Sequence, residues 1–82
     1  MRGADLREAN LRRANLRGAK LDEANLSKAD LHGANLREAS LSGTDLRRAN
    51  LLKAVLVDAI LVDADLDGAI LDETTLRENE IN

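Results

Sequence analysis

The 82-residue sequence contains no cysteine, proline, phenylalanine, tyrosine or tryptophan, and only five glycines and one methionine. Without cysteine there is no disulfide framework, no thiol nucleophile and no thiolate ligand set for zinc. Without aromatic residues a chain this small lacks the largest core side chains, and it lacks the stacking platforms on which single-stranded nucleic acids are held. No excess of one charge is present: 12 Lys or Arg stand against 15 Asp or Glu, for a formal net charge of −3. No segment reaches the roughly 20 apolar residues of a membrane helix. The start, Met1-Arg2-Gly3-Ala4-Asp5, lacks the hydrophobic stretch of a secretory signal. The default expectation is one small domain over residues 1–82 in the cytoplasm, with a processed or excised chain remaining open.

What is present is apolar bulk of two kinds, 16 Leu and 13 Ala. Leucine recurs every five residues from Leu6 to Leu76, and Ile81 takes the next place. Two residues before each leucine stands Ala, from Ala4 to Ala69, with Thr44 and Thr74 as substitutes. Between them the commonest residue is Asn or Asp, at Asp5, Asn10, Asn15, Asn25, Asp30, Asn35, Asp45, Asn50 and Asp65. Lys20, Ser40, Val55, Ile60, Ile70, Thr75 and Glu80 depart from that choice. The unit is Ala-(Asn/Asp)-Leu-x-x, and it fills the chain.

A period of five suits neither regular element. On a helix, successive leucines would be rotated by roughly 140° and scattered round the cylinder. On a continuous strand, alternate leucines would face opposite sides, because five is odd. The consistent solution is a short extended piece, in which Ala and Leu point the same way, followed by a turn at x-x. Repeated with one hand, that turn winds a coil lined by Ala and Leu. The Asn or Asp between them points outward, where a short polar side chain can bond nearby backbone.

This array resembles the pentapeptide repeat family, over essentially Gly3 to Asn82. The resemblance implies an all-β fold, a right-handed quadrilateral parallel β-helix with four pentapeptides per coil and about four coils. The period of five is read from the sequence, whereas the number of sides is inherited from the family. The glycines, at 3, 18, 33, 43 and 68, give no spacing of twenty. The resemblance also implies a non-catalytic module of the kind found in bacteria and especially cyanobacteria, many of them without an assigned role. A more specific alternative from the same family is a DNA-mimicking inhibitor of DNA gyrase or topoisomerase IV. Uniform Leu at the inward positions departs from the aromatic-rich pattern of those relatives.

Two surface features carry functional expectations. Residues 2–21 have a net charge of +4 and residues 62–82 of −6. Arg2, Arg7, Arg12, Arg13, Arg17 and Lys20 therefore oppose an acidic end of Asp63, Asp65, Asp67, Asp72, Glu73, Glu78 and Glu80. Head-to-tail association of rods would use this polarity, while a plain solvated surface needs no partner. The second feature is apolar: Leu52, Val55, Val57, Ile60, Val62 and Ile70 occupy outward places that elsewhere are mainly polar. They fit either a locally better-formed sheet, since β-branched residues favour strands, or a surface for a second copy or a protein partner. The ends of the coil show no built cap, so a polar tail, another chain or a further part of a longer protein would cover them.

Chemistry is sparse. His32 is the only histidine and reads as one more outward residue; no catalytic, cofactor or metal site is expected. The acidic pairs Asp22-Glu23 and Asp72-Glu73 fall at turns, where adjacency does not place two carboxylates across a substrate. Arg12-Arg13 and Arg47-Arg48 could touch phosphate, but without aromatic residues or basic excess the balance is against nucleic-acid binding. The expected partner is a protein or a second copy of the chain, with neither membrane nor cofactor.

Overall fold

The computed structural model describes residues 1–76. The chain turns a corner every five residues. At each corner the Ala N–H, or that of Thr44 or Thr74, donates to the carbonyl of the Leu three residues earlier, or of Met1 at the first, at 2.9–3.1 Å. The third residue of every turn is left-handed. Ten of these are Glu, Arg, Lys or Asp with φ between 57° and 63°, and the other five are Gly. A positive φ at this position is the demand of a type II turn, normally met by glycine. For a side chain with a Cβ it costs about 1 kcal/mol. The conformation is held on both sides: Glu8, Arg13, Glu23, Lys28, Glu38, Arg48 and Lys53 each donate their N–H to a carbonyl of the following coil. Gly43 has a steric reason as well, since a Cβ there would stand 3.2 Å from Glu23 Cγ.

Four corners close one coil. All eleven parallel bridges join a residue to the one twenty places on, from Asp5 with Asn25 to Val55 with Thr75. The coils are residues 1–20, 21–40, 41–60 and 61–76. The rod has four faces: the first carries segments 4–7, 24–27, 44–47 and 64–67; the second 9–12, 29–32, 49–52 and 69–72. The third carries 14–17, 34–37, 54–57 and 74–76, and the fourth 19–22, 39–42 and 59–62. The extended pieces are so short that each pair of coils meets in isolated bridges on each face and forms no long ladder.

Backbone accounting explains the outward Asn/Asp column. In the unit around Leu26, Asn25 N–H donates to Ala4 O, Leu26 N–H to Asp45 O, Lys28 N–H to Arg47 O and Ala29 N–H to Leu26 O. Only the N–H of the residue after leucine finds no carbonyl. It is taken by the side-chain oxygen of the Asn or Asp two residues before it, at 3.0–3.3 Å, at all nine such positions. This is an Asx turn repeated along the rod. Where Ser40, Val55, Ile60 and Ile70 interrupt the column, the N–H groups of Ser42, Val57, Val62 and Asp72 have no such partner among the described residues.

The core is graded along the axis. From Leu21 to Leu51 every inward Leu and Ala is 0–1% exposed, and Leu56 is 2% exposed. Leu6, Leu11, Leu16, Leu61 and Leu66 are only partly buried, while Leu71 and Leu76 are 44% and 53% exposed. Full burial is thus confined to the middle of the rod, because an inward side chain is covered by the coils above and below it. Thr44 replaces Ala without a buried polar penalty, since its hydroxyl donates to Leu21 O at 2.9 Å; Thr74 repeats the contact to Leu51 O. Leu36→Ala is expected to cost about 2–5 kcal/mol in urea unfolding, and Leu11→Ala less than half as much. Asn35→Ala, which strands the Arg37 N–H, should cost about 1 kcal/mol.

Candidate functional site

The outer faces are where function must lie, because the interior is filled by Leu and Ala. The turn places each outward residue in a column whose members are twenty residues apart. Opposite charges in adjacent coils therefore meet: Arg2 with Asp22 at 3.8 Å, Arg12 with Asp30 at 3.0 Å, Arg17 with Glu38 at 3.5 Å and Lys53 with Glu73 at 3.8 Å. On the first face the pairing is within one segment. Arg7 and Arg47 each grip an Asp two residues back through two hydrogen bonds of 2.7–2.9 Å.

These pairs alter the reading of the charged ends. Four of the six basic residues in the first coil, Arg2, Arg7, Arg12 and Arg17, are bound to carboxylates of the same chain. Arg13 and Lys20 are without an ion pair among the described residues. At the other end Asp63, Asp65, Asp67, Asp72 and Glu73 are all exposed, spread over the first two faces and the corners beside them. Of these only Glu73 has an ion pair among the described residues, with Lys53. Glu78 and Glu80 lie outside the described residues.

The apolar candidates fall on three adjacent faces. Leu52 and Ile70 lie on the second face, Val55 and Val57 on the third, Ile60 and Val62 on the fourth. Val57 is 9% exposed and Leu52 and Val55 are half-buried. Val57 lines a depression of about 190 Å³ with Arg17, Arg37, Glu38 and Asp58. Ile70 is 47% exposed and stacks on Asn50. Ile60 and Val62, at 50% and 64%, are the exposed pair on one segment. A larger depression, of about 360 Å³, is lined by Ser27, Lys28, Arg47, Arg48 and Asp67.

The fourth face differs from the others in a way that the repeat pattern conceals. Its outward column before leucine runs Lys20, Ser40, Ile60, with no Asn or Asp at all. Each other face keeps Asn or Asp in at least two coils. The sequence did contain this signal, since the departures at 20, 40, 60 and 80 are spaced by twenty. They also give the four-sided period that the glycines do not. Ser40 is tied to the preceding segment of this face, its hydroxyl donating to Asp22 Oδ2 at 2.7 Å. His32 lies half-buried on the second face, its backbone N–H donating to Asp30. Among the described residues no cluster of His, Asp or Glu is arranged to hold a metal, and no helix is long and apolar enough to cross a membrane.

Segments joined in parallel at a twenty-residue offset, with a graded apolar interior and laddered charges outside, define a parallel β-solenoid of five-residue units. The pentapeptide repeat model matches residues 1–37 and 39–78 in eight copies, and the chain belongs to the pentapeptide repeat family. Its members form right-handed quadrilateral β-helices and are generally non-catalytic structural proteins. Among solved structures, the chain is similar to the pentapeptide repeat protein Rfr23 of the cyanobacterium Cyanothece 51142, with 35% identity and a TM-score of 0.76 over 88% of this chain. It spans about half of that protein, 53%. It is 34% identical to alr5209, a pentapeptide repeat protein from Nostoc PCC 7120, over 95% of this chain and 77% of that one, with a TM-score of 0.56. HetL of Nostoc sp. PCC 7120, a pentapeptide repeat protein involved in heterocyst differentiation regulation, is 30% identical over 90% of this chain and 56% of its own, with a TM-score of 0.42. A comparison with curated protein sequences gives no match.

The ion pairs set an acid limit. The Arg7 guanidinium holds the Asp5 carboxyl below its usual value; Arg12 does so for Asp30, Arg47 for Asp45 and the Ser40 hydroxyl for Asp22. A carboxyl depressed in the folded state stabilises the fold above its unfolded pKa, about 3.9, and that stabilisation is lost as pH falls through the folded value. The melting temperature should therefore be level from pH 7 to about 5 and fall below about 4. The exposed pairs make this decline shallow, and thermal melts in dilute buffer would measure it.

Proposed function

We propose that the protein is a non-catalytic structural or interaction module that docks a protein through its fourth face, at Ile60 and Val62. One observation carries the reading: these two β-branched residues stand adjacent on one segment and are 50% and 64% exposed, although outward positions elsewhere on the rod are mainly polar. Strand preference explains why such residues fit an extended segment, but it does not account for their exposure. Val55 and Val57 have the same preference, and on the third face, where the segment beginning at Thr74 lies over them, Val55 is half-buried and Val57 is covered. Contiguous exposed apolar surface rimmed by polar residues marks protein interaction sites.

The acidic end provides the support for the gyrase or topoisomerase alternative. Four aspartates of the last coil, Asp63, Asp65, Asp67 and Asp72, have no ion pair among the described residues. The adjoining coils carry mixed charge in closed pairs, which is unlike the unbroken negative charge of duplex DNA, about one per 1.7 Å. The interaction reading is therefore the one adopted.

Immobilised wild-type protein is expected to retain at least one protein from a bacterial extract that the double variant Ile60→Lys with Val62→Lys does not. Circular dichroism of both would establish equal folding. Identical retained proteins on the two matrices would rule out the fourth face as the dock.

A further inference from the structure

The fourth face is self-complementary, rung by rung. Within each segment the outward residues before and after leucine are two positions apart, about 6.6 Å along the strand. The three described rungs are Lys20 with Asp22, Ser40 with Ser42, and Ile60 with Val62. A two-fold axis parallel to the rod brings two fourth faces together with each first member opposite the partner's second. Lys20 then opposes the carboxylate of Asp22, which within its own chain also accepts from Ser40 and pairs with Arg2, Ser40 opposes the hydroxyl of Ser42, and Ile60 opposes Val62. Opposite charges, small hydroxyls and branched apolar side chains each meet their own kind of complement.

No other face passes the same operation. On the first face Asp65 would meet Asp67, two like charges. On the second face Ile70 would meet Asp72 and Leu52 would meet Asn50, each setting an apolar side chain against a polar one. On the third face Val55 and Val57 match, but Val57 is already 9% exposed before any contact. An antiparallel arrangement of fourth faces, turned about the Ser40 rung, would set Lys20 against Ile60 and leave the ammonium without a carboxylate. One further feature favours contact on the fourth face. Among the described residues Lys20 has no ion pair, and the N–H of Ser42, whose segment lacks the Asx side chain, has no protein acceptor and stands opposite the partner copy's Ser40 hydroxyl.

We infer that this chain pairs with a second copy of itself, fourth face to fourth face, with the two rods parallel about a two-fold axis along their length. The inference rests on the reading of Ile60 and Val62 as a docking surface and names its occupant. A face three extended residues wide, about 10 Å, and a few coils tall at about 4.8 Å each is smaller than the roughly 800 Å² per partner of a standard interface. The dimer is accordingly weak and concentration-dependent. Isologous pairing also closes the assembly at two, so no filament grows from it.

Charge reversal gives a test that follows the symmetry. Lys20→Asp places two acidic residues on its rung, and Asp22→Lys places two basic ones. Each variant repels itself across the axis, whereas one copy of each restores both pairs. Sedimentation equilibrium from about 10 μM to 1 mM in dilute buffer should show the wild type passing from monomer to dimer. Each charge variant alone, and Ile60→Lys with Val62→Lys, should raise the dissociation constant at least tenfold. An equimolar mixture of the two charge variants should regain the wild-type mass, with circular dichroism showing that every variant is folded. A wild type that stays monomeric at 1 mM would overturn the inference while leaving the capture experiment to judge the docking face itself. A dimer that survives in Ile60→Lys with Val62→Lys would place the contact on another face and overturn it equally. A dimer abolished by that double variant but not regained in the charge-variant mixture would overturn the parallel two-fold arrangement.

Discussion

Everything in this rod depends on a left-handed residue placed once in every five. It sits at Glu8, Arg13, Gly18, Glu23 and onward to Glu73, and it bends the chain so that each leucine returns to the same interior. Without that bend the five-residue period scatters leucine, and no common core forms. The conformation is unfavourable for a glutamate or an arginine standing alone. It persists because the turn bond to Ala or Thr closes on one side and, as far as Lys53, the inter-coil bond from the residue's own N–H holds the other. Local strain and long-range pairing are thus parts of one arrangement, and neither exists without the other.

The column of Asn and Asp serves the same scaffold from outside. Each unit has one N–H that no carbonyl reaches, and the Asx side chain accepts from it. The repeat pattern alone puts that side chain outward and near the backbone, and the nine bonds confirm the position and identify the donor. The interior is equally legible: leucines 5 residues apart with alanine two before them leave little freedom. The left-handed corners are not legible. Glutamate, arginine and lysine are not residues one associates with positive φ, and only the five glycines hint at it. The graded burial is also hidden, since Leu11 and Leu31 look alike until one asks how many coils cover each.

The surface is harder to read because its meaning is set by neighbours twenty residues away. A tally along the chain gives a basic start and an acidic finish. In three dimensions Arg12 reaches Asp30 and Arg17 reaches Glu38, so much of the basic start is paired within the chain while most of the acidic finish is not. The six outward apolar residues fall on three adjacent faces, and Val57 among them is covered. Writing the sequence in rows of twenty is enough to separate them, because each column of such rows is one column of the rod. The same rows show one column without Asx side chains.

The four-sided section has a consequence for how such a chain can change. Inserting or deleting one pentapeptide preserves every inward Leu and Ala, and so is tolerated by the core. It also rotates all later outward residues by a quarter turn. A deletion of five residues near Ser40 would move Ile60 and Val62 from the fourth face onto the third, beneath the arginine column. Length can therefore drift in steps of five as far as folding is concerned, whereas a surface that spans several coils stays aligned only in steps of twenty.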